Sequence, residues 1–426
     1  MRVVIISKAL VVGAYQRKLE ELALQSDVEL TVVVPPAWRE GRNLIHLERA
    51  HTKGYALLVA PLVFNGQFHL HFYPTLGRLL RQIRPDVLHM DEEPYNLATW
   101  LALRQGQAVG ARCLFFTWQN LVRSYPLIFR HFENVNHRRA AHAIAGSPTA
   151  AEVLRVKGYR GPVTVIPQFG VDPNIFSPRP VDAHTPSPAG NNIVIARSAV
   201  GEREASLRDK AIPNFEAQIA SGYRPRNDNP SSFVARPSSF TIGYAGRLVP
   251  EKGVEVLVRA CAVLPPNLDW TLHLLGDGPE RERLASIAQE LDIEQRVRFL
   301  GRVPSTQAPQ VYQTFDVLVL PSLSQPNWVE QFGRVLTEAM ACGVPVVGSR
   351  CGEIPWVIGD AGRLFPEGDA GALAGILAEL AGDPVQRAAL AAAGRARILA
   401  HFTQAQIAAE TAAVYREMLR PSKNAT

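Results

Sequence analysis

EQFGRVLTEAMACG, residues 330–343, follows a short apolar run, Val317 to Leu320, that predicts a buried strand. The second part of the stretch is typical of a helix closed by Gly343. Phe332 and Gly333 stand at the start of this helix, where free backbone amides and the helix dipole suit a phosphate. The stretch therefore predicts an anion-binding helix start just beyond the end of a strand.

Each of the two glutamates of this stretch has a structural interpretation. Glu338, inside the helix, is suited to accept two hydrogen bonds from a ribose diol, but it is also the i,i+4 partner of Arg334. Glu330 has the structural interpretation of an acid that is favoured near a helix start, which needs no ligand to explain it. Neither glutamate taken alone decides between a binding role and a structural one.

Two glycine turns precede this stretch at the ends of other predicted strands. Ala245-Gly246-Arg247-Leu248 ends one strand and is followed by Lys252, so that two cations within six residues suit a diphosphate. Gly276-Asp277-Gly278-Pro279 ends the next strand and opens a helix, but it lacks the third glycine of a dinucleotide fingerprint. A tight turn is favoured there over a dinucleotide site. All three constellations lie at successive strand ends, where open α/β sheets bind ligands.

Short β-branched runs alternate with helical patterns in both halves of the chain, which predicts an α/β protein with two doubly wound parallel sheets. We expect a first domain over residues 1–176 and a second over residues 240–405. Residues 177–239 are rich in Pro, Ser, Asn and Arg and lose periodicity, which predicts a largely unordered linker or insert. Residues 406–426 contain a final amphipathic helix, expected to pack back on the first domain.

Composition restricts the class of protein. Hydrophobic residues make up 47% and charged residues 20% of 426 residues, which is typical of a folded chain and excludes wholesale disorder. No run approaches the roughly 18 to 20 apolar residues of a membrane-spanning helix. The four cysteines form no C-x-x-C pair, so that a reducing cytoplasm is expected and no zinc site is indicated.

The net charge of +6 is concentrated in the first half, where residues 1–176 hold 20 Lys and Arg against 13 Asp and Glu. This surplus suits anionic lipid head groups or a phosphorylated acceptor. An Arg-rich surface in contact with water explains it equally well. The basic residues are dispersed and follow no helix-turn-helix, finger or RNP pattern, so no nucleic-acid partner is expected.

Taken together, the second half resembles the retaining glycosyltransferases of family 4, which have the GT-B fold of two Rossmann-like domains facing a central cleft. The shared motifs are G-R-L-x-x-x-K-G from Gly246, G-D-G-P from Gly276, Gly301-Arg302-Val303, and E-x7-E at Glu330 and Glu338. E-A-M-A-C-G-V-P-V-V-G-S, ending at Ser349, completes the set. The first half resembles the family more weakly, through Ala145-Gly146-Ser147 and residues 166–172.

The resemblance assigns roles to these positions. Arg247, Lys252 and Glu330 are the implied catalytic residues, with both cations on the diphosphate of a nucleotide sugar. Glu338 would hold the ribose and Arg302-Val303 would lie beside the base. The other implied donor-binding residues are Gly246, Gly276, Gly278, Phe332, Gly333 and Val335. No metal or other cofactor is expected, because the cations and the helix start neutralise the phosphates.

The first half departs from the family pattern in two loops. Many relatives carry a glycine pair where this chain has Ser7 to Gly13, and T-x-H-D where this chain has Thr117-Trp118-Gln119-Asn120. Gln119 stands in the position of the histidine; it can bond a sugar hydroxyl but cannot take a charge. The candidates for acceptor or donor-sugar contacts are Lys8, Gly13, Glu93, Gln119 and Asn120. Ordinary loop polarity is the alternative for each.

Residues 68–73, FHLHFY, raise a separate question. A metal site or a membrane patch would use these histidines and aromatic rings. The alternation favours a half-buried strand with its histidines turned outward.

The resemblance implies a retaining hexosyltransferase that acts on a saccharide or lipid-linked acceptor, in cell-surface polysaccharide or glycolipid synthesis. Its expected place is the cytoplasm or the inner face of the membrane. Two alternatives remain: a nucleotide-sugar epimerase or sugar phosphorylase on the same fold, and a sugar-nucleotide-binding subunit without catalysis, which the Gln119 replacement favours.

Overall fold

Continuous apolar runs in the first half form a parallel sheet that is buried on both faces, as in the strand Arg2–Ile6. The computed structural model describes residues 1–41, 43–179, 239–304 and 307–420. The expected insert at 177–239 therefore lies almost wholly outside the described residues. The strands of the first half are β1 Arg2–Ile6, β2 Glu29–Val34, β3 Ala37–Glu40, β4 Asn43–His46, β5 Ala56–Val59, β6 Val87–Met90, β7 Arg112–Thr117, β8 His142–Ala145 and β9 Val163–Val165.

The first sheet has the order β5-β2-β1-β6-β7-β8-β9, and all of its strand pairs are parallel. β3 and β4 form a separate antiparallel pair. The strand order reverses between β1 and β6, and such a reversal opens a crevice at the carboxyl ends of the strands. The helices between the strands are α1 Arg17–Ala23, α2 Leu76–Ile83, α3 Leu97–Ala108, α4 Leu127–Arg139 and α5 Pro148–Val156.

The second half repeats this plan with six parallel strands in the order β12-β11-β10-β13-β14-β15. Its order reverses between β10 and β13. The strands are β10 Phe240–Ala245, β11 Trp270–Leu275, β12 Val297–Gly301, β13 Val317–Leu320, β14 Val346–Ser349 and β15 Arg363–Phe365. The helices are α6 Val254–Ala262, α7 Arg281–Glu290, α8 Ala308–Tyr312, α9 Arg334–Ala341, α10 Ile354–Ile358, α11 Ala370–Gly382, α12 Pro384–His401 and α13 Gln404–Leu419. The α/β class with two Rossmann-like parallel sheets is as the sequence predicts.

The last helix, α13, leaves the second sheet and packs against α1 of the first. Ile407 and Tyr415 lie in one buried apolar cluster with Val3 and Ile5 of β1. The Tyr415 hydroxyl is 2.6 Å from Nδ1 of the buried His89. Burial of apolar side chains contributes about 2 kcal/mol for each large one, so α13 fastens the end of the chain to the first domain.

Residues 68–73 do not form the half-buried strand that the alternation favours. They lie in a turn with a single bridge, Val63 to Phe72. His71 is fully buried, and its Nε2 is 2.8 Å from Glu92 Oε2. The expectation was wrong because a buried carboxylate, which no local period reveals, draws this histidine inward.

Candidate functional site

A cleft of about 350 Å³ opens at the carboxyl ends of β10, β11 and β12. It lies beside the reversal of strand order in the second sheet, where open α/β sheets bind ligands. Six predicted donor residues line it, namely Gly246, Gly276, Arg302, Val303, Val335 and Glu338, and so does Arg247. The structure therefore brings most of the predicted donor set to one concave surface.

The glycines of this cleft allow loop backbones to approach each other closely. Gly246 N donates to Leu275 O at 2.9 Å, and Gly276 N donates to Gly301 O at 2.8 Å. A Cβ on Gly276, whose φ is +140°, would lie 1.8 Å from Gly246 O. A Cβ on Gly278 would lie 2.2 Å from Leu248 O. Gly276 thus both packs the turns together and lines the cleft, whereas Gly278 packs only.

A second cleft of about 360 Å³ adjoins the first and shares Gly246, Arg247 and Val335 with it. It is also lined by Lys252, Glu330, Phe332 and Gly333 from the second domain, and by Trp118 and Phe169 from the first. The two domains of the chain therefore face each other across this cleft.

Lys252 and Glu330 meet inside the second cleft. Lys252 Nζ donates to Glu330 Oε2 at 2.5 Å, and Ser322 Oγ donates to the same oxygen at 2.8 Å. The Glu330 carbonyl accepts from Glu353 N at 3.0 Å. Gly253, with φ +62°, lies so close to Pro321 O that a Cβ would be 2.1 Å from it. Backbone and side-chain contacts together hold the cation and the carboxylate at one spot.

The helix that follows, α9, begins at Arg334, after Gly333 with φ +73°. This left-handed residue turns the chain sharply into the helix, so that the first amides of α9 border the second cleft. The start of α9 and Lys252 therefore line the same cleft. A phosphate there would meet the cation and the positive end of the helix dipole together.

Glu338 accepts hydrogen bonds from the protein itself. Tyr312 OH donates to its Oε2 at 2.7 Å, and Arg334 Nε is 3.1 Å from its Oε1. Burial raises the pKa of Glu338, while Arg334 and Tyr312 oppose that rise. Both interpretations of this glutamate are thus compatible with one geometry: it lines the cleft, and it pairs with Arg334.

Glu93 holds the loop after β7 in place. Its Oε2 accepts from Thr117 Oγ1 at 2.5 Å, and its Oε1 accepts from Trp118 N at 2.8 Å. Burial raises the pKa of this carboxyl to about 7, against the hydrogen bonds and the nearby lysines. Glu93 therefore supports the Thr117–Asn120 turn directly.

Lys8 and Gly13, the two candidates in the first loop, each bond to a glutamate of the first domain. Lys8 Nζ is 2.6 Å from Glu92 Oε2, and Gly13 N donates to Glu48 Oε2 at 2.6 Å. Burial opposes ionisation of Glu92, but His71 and Lys8 outweigh it and lower the pKa to about 2. Lys8 thus lies near the reversal of strand order in the first sheet as one half of an ion pair.

The side chains of Gln119 and Asn120 form hydrogen bonds with different domains. Gln119 Oε1 accepts from Lys157 Nζ at 3.2 Å, and its Nε2 donates to Leu121 O at 3.1 Å. Asn120 Nδ2 donates to Glu330 O at 3.3 Å. Asn120 therefore joins the first domain to the loop that carries Glu330, whereas Gln119 is held within its own domain.

Four residues that line the clefts or bond to the candidates are not indicated by the sequence as functional. Tyr312 and Arg334 line the clefts, Ser322 bonds to Glu330, and Lys157 bonds to Gln119. Ser322 directly follows β13, and this position could have drawn attention to it. Arg334 appears in the sequence only as an i,i+4 partner, yet it lines both clefts. Tyr312 lies at the end of α8 and Lys157 directly after α5, each more than 20 residues from its partner, so no local pattern indicates these contacts.

No group of three or more His, Cys, Asp or Glu side chains within the described ranges is arranged to hold a metal ion. Among the described helices, none combines the length and the apolar character needed to cross a bilayer.

Comparison with known families identifies both halves of the chain. Residues 17–174 match the model described as Glycosyltransferase Family 4, and residues 226–397 match the model described as Glycosyl transferases group 1. The two matches follow each other in the order of the two sheets. The chain belongs to the group 1 glycosyltransferases of family 4. The predicted family membership is confirmed.

Relatives of this group 1 family member match it over part of their length. N-acetyl-alpha-D-glucosaminyl L-malate synthase of Bacillus anthracis is 35% identical over 175 residues, which are 41% of this chain and 44% of the relative. A GDP-mannose-dependent monoacylated alpha-(1-6)-phosphatidylinositol monomannoside mannosyltransferase of Corynebacterium glutamicum is 33% identical over 205 residues, 45% of this chain and 53% of the relative. The chain thus spans about half the length of the curated relatives that it matches.

Solved structures share the fold of this family member along nearly the whole chain. Sucrose-phosphate synthase from Thermosynechococcus elongatus has a TM-score of 0.66 at 20% identity, covering 98% of this chain and 99% of that one. Anabaena HepE in complex with UDP has a TM-score of 0.66 at 18% identity, covering 98% and 100%. The fold is the GT-B arrangement that the sequence predicts.

Proposed function

We propose that this chain is a retaining glycosyltransferase that moves a hexose from a nucleotide diphosphate sugar to a saccharide or lipid-linked acceptor. The observation that carries the proposal is the pair of adjoining clefts, in which Arg247, Lys252 and the start of α9 converge. Two cations and a helix start in one place suit a diphosphate and need no metal to neutralise it.

The donor would lie across both clefts. The base and ribose would occupy the first, beside Arg302-Val303 and Glu338, and the diphosphate and hexose the second, beside Lys252 and Glu330. A ribose diol would replace Tyr312 OH or Arg334 as the hydrogen-bond donor to Glu338. The exchange conserves hydrogen bonds to the carboxylate, so the buried charge is never left without a partner.

In the proposed reaction, the acceptor hydroxyl attacks the anomeric carbon on the face from which the nucleotide diphosphate leaves. The bond from that carbon to the phosphate oxygen breaks, a bond to the acceptor oxygen forms, and the acceptor proton passes to the departing phosphate. Arg247 and Lys252 stabilise the charge that develops on the leaving group. The carboxylates bind and orient, so no covalent intermediate with Glu330 is needed.

The acceptor side is proposed from the residues at the carboxyl ends of β1, β6 and β7. Lys8, Glu93 and Gln119 lie there, and Asn120 reaches the Glu330 loop. The mannosyltransferase relative carries phosphatidylinositol in its name, which supports a lipid-linked acceptor and a role in glycolipid or cell-surface polysaccharide synthesis. The four cysteines are free and buried, which supports a reducing compartment. The basic surplus of the first half supports peripheral contact with the inner membrane face.

Turnover of a panel of UDP-, GDP- and ADP-sugars by the wild-type protein tests the proposal. Lys252→Ala and Glu338→Ala should each lower kcat/KM by roughly 10²-fold or more, because each removes a charged contact to the donor. Lys53→Ala, at an exposed lysine outside the clefts, is the matched control.

Near-normal donor affinity and turnover in both cleft variants would contradict the site assignment. Donor binding without transfer to any acceptor would instead favour the non-catalytic subunit. Interconversion of the donor sugar without an acceptor would favour an epimerase.

A further inference from the structure

Helix α5 of the first domain receives one of its N-terminal hydrogen bonds from the second domain. The first residue of α5 is a proline, which has no amide hydrogen. Two of the next amides bond to Ser147, Ala150 N to its Oγ at 3.2 Å and Ala151 N to its carbonyl at 3.1 Å. Thr149 N instead donates to Glu353 Oε1 at 3.2 Å. A carboxylate of the second domain therefore satisfies the amide that Ser147 leaves free.

The Glu353 carboxylate is well placed for this contact. Glu353 is buried, with 3% of its surface exposed, although it directly precedes the helix α10 of its own domain. A buried carboxylate needs partners that offset the loss of water. The Thr149 amide and the positive end of the α5 dipole supply that compensation. The contact thus stabilises the approach of the two domains at this point.

The main chain of Glu353 bonds to the loop that carries Glu330. Glu353 N donates to Glu330 O at 3.0 Å, and Asn120 Nδ2 donates to the same oxygen at 3.3 Å. A Cβ on Gly352, whose φ is +52°, would lie 2.1 Å from Glu330 O. The Oε2 atom of Glu330 accepts from Lys252 Nζ. A shift of the Glu353 backbone would therefore move the carboxylate and the cation of the second cleft.

We propose that Glu353 is a positioning residue, whose carboxylate links the first domain to the backbone of Glu330. Glu353 is not among the described residues that line the two clefts, so it acts through Glu330. A donor held by the second domain alone is bound, and the contact with α5 sets Glu330 and Lys252 in the geometry for transfer. The inference rests on the proposed function, in which these two residues face the hexose and the diphosphate.

Amide hydrogen exchange of the protein alone, read at single residues by mass spectrometry, tests the link without a donor. Glu353→Ala removes the acceptor of the Thr149 amide and keeps the main-chain bond to Glu330. Thr149 should then exchange roughly tenfold faster than in the wild type. Glu353→Gln keeps an oxygen that accepts this bond, so Thr149 should exchange nearly as in the wild type.

The matched control is Asp383→Ala. Asp383 Oδ1 accepts from Gln386 N at 2.8 Å, so it caps α12 within the second domain. Its loss should cost stability in denaturant titration, as the loss of a helix cap does, and leave the exchange of Thr149 unchanged. The control therefore separates the loss of a carboxylate cap from the loss of the contact between domains.

Turnover of the UDP-, GDP- or ADP-sugar that the wild type uses tests the positioning role. Glu353→Ala should lower kcat about tenfold or more and change the donor Kd by less than about threefold, because the donor keeps its own contacts. Glu353→Gln should recover most of kcat, and Asp383→Ala should keep the kcat and Kd of the wild type.

Equal exchange of Thr149 in Glu353→Ala and the wild type would overturn the link between the domains. Faster exchange with an unchanged kcat would overturn the positioning role. A wild type that turns over none of these donors would contradict the proposed function and the positioning role with it, whereas the exchange result would still decide the link.

Discussion

At the scale of single residues, the buried carboxyl of Glu93 makes the folding stability depend on pH. Burial raises the pKa of its carboxyl to about 7, above the ordinary glutamate value of the unfolded chain. The folded protein therefore favours the protonated form. The stability linked to Glu93 is complete below about pH 4.5 and is lost as pH rises through about 7.

Glu93→Gln should remove this loss. We expect the variant to gain about 3 kcal/mol of unfolding free energy relative to the wild type between pH 4.5 and pH 8. The amide oxygen can still accept from Trp118 N, so the turn after β7 keeps that bond. Denaturant unfolding across the pH range measures the difference, with the exposed Glu290→Gln as control. Unfolding free energies of Glu93→Gln and wild type that change with pH in the same way would contradict the expectation.

At the scale of elements, the turns after β10 and β11 pack backbone against backbone. Gly278→Ala would place a methyl carbon 2.2 Å from Leu248 O, and the turns would have to separate. We expect a loss of roughly 2 kcal/mol or more in unfolding free energy, measured by denaturant titration.

A matched glycine-to-alanine substitution in a helix should raise the unfolding free energy instead of lowering it. Gly375 lies inside α11, and a Cβ there would meet no atom within 4 Å. Gly375→Ala should therefore stabilise the protein by about 0.5 to 1 kcal/mol, because alanine loses less backbone entropy in a helix. If both alanines had the same effect, backbone contact at Gly278 would not be what requires glycine.

At the scale of the whole molecule, Arg334, which lines both clefts, connects the two domains. Its Nη1 donates to Tyr15 OH at 2.9 Å, while its Nε lies 3.1 Å from Glu338 Oε1. The Tyr15 ring stacks on Phe169 with centroids 4.1 Å apart. Through Arg334, the first loop of the chain is thereby joined to Glu338, the residue proposed to bind the ribose.

Tyr15→Phe keeps the stacked ring and removes the hydroxyl, and Arg334→Gln removes the cation. Calorimetric titration with the preferred donor should show that each weakens affinity and that the double variant is little weaker than Arg334→Gln alone. The expected coupling energy is about 1 kcal/mol. Strict additivity of the two losses would show that the hydroxyl and the guanidinium act on donor binding separately.

Much of the second domain could be predicted from the sequence, because the features that determine its strands, helices and turns each lie within a few consecutive residues. The apolar run of β13, the helical spacing that separates Glu330 from Glu338, and the glycines at the ends of β10 and β11 each express a backbone requirement over a few residues. For this reason the family resemblance, the GT-B fold and the position of the helix start follow from the sequence. The predicted final helix within 406–426 is also present, as α13, Gln404–Leu419, which begins two residues earlier than expected.

Tertiary structure alone decided which side chains meet. Lys8 pairs with Glu92, Arg334 with Tyr15, and Glu338 with Tyr312. The first two pairings join different strand ends or different domains. They depend on the strand order of a sheet and on how the two sheets face each other. Periodicity reports only on neighbours along the chain, whereas these contacts arise when burial of both sheets brings distant segments together and each buried charge must find a partner.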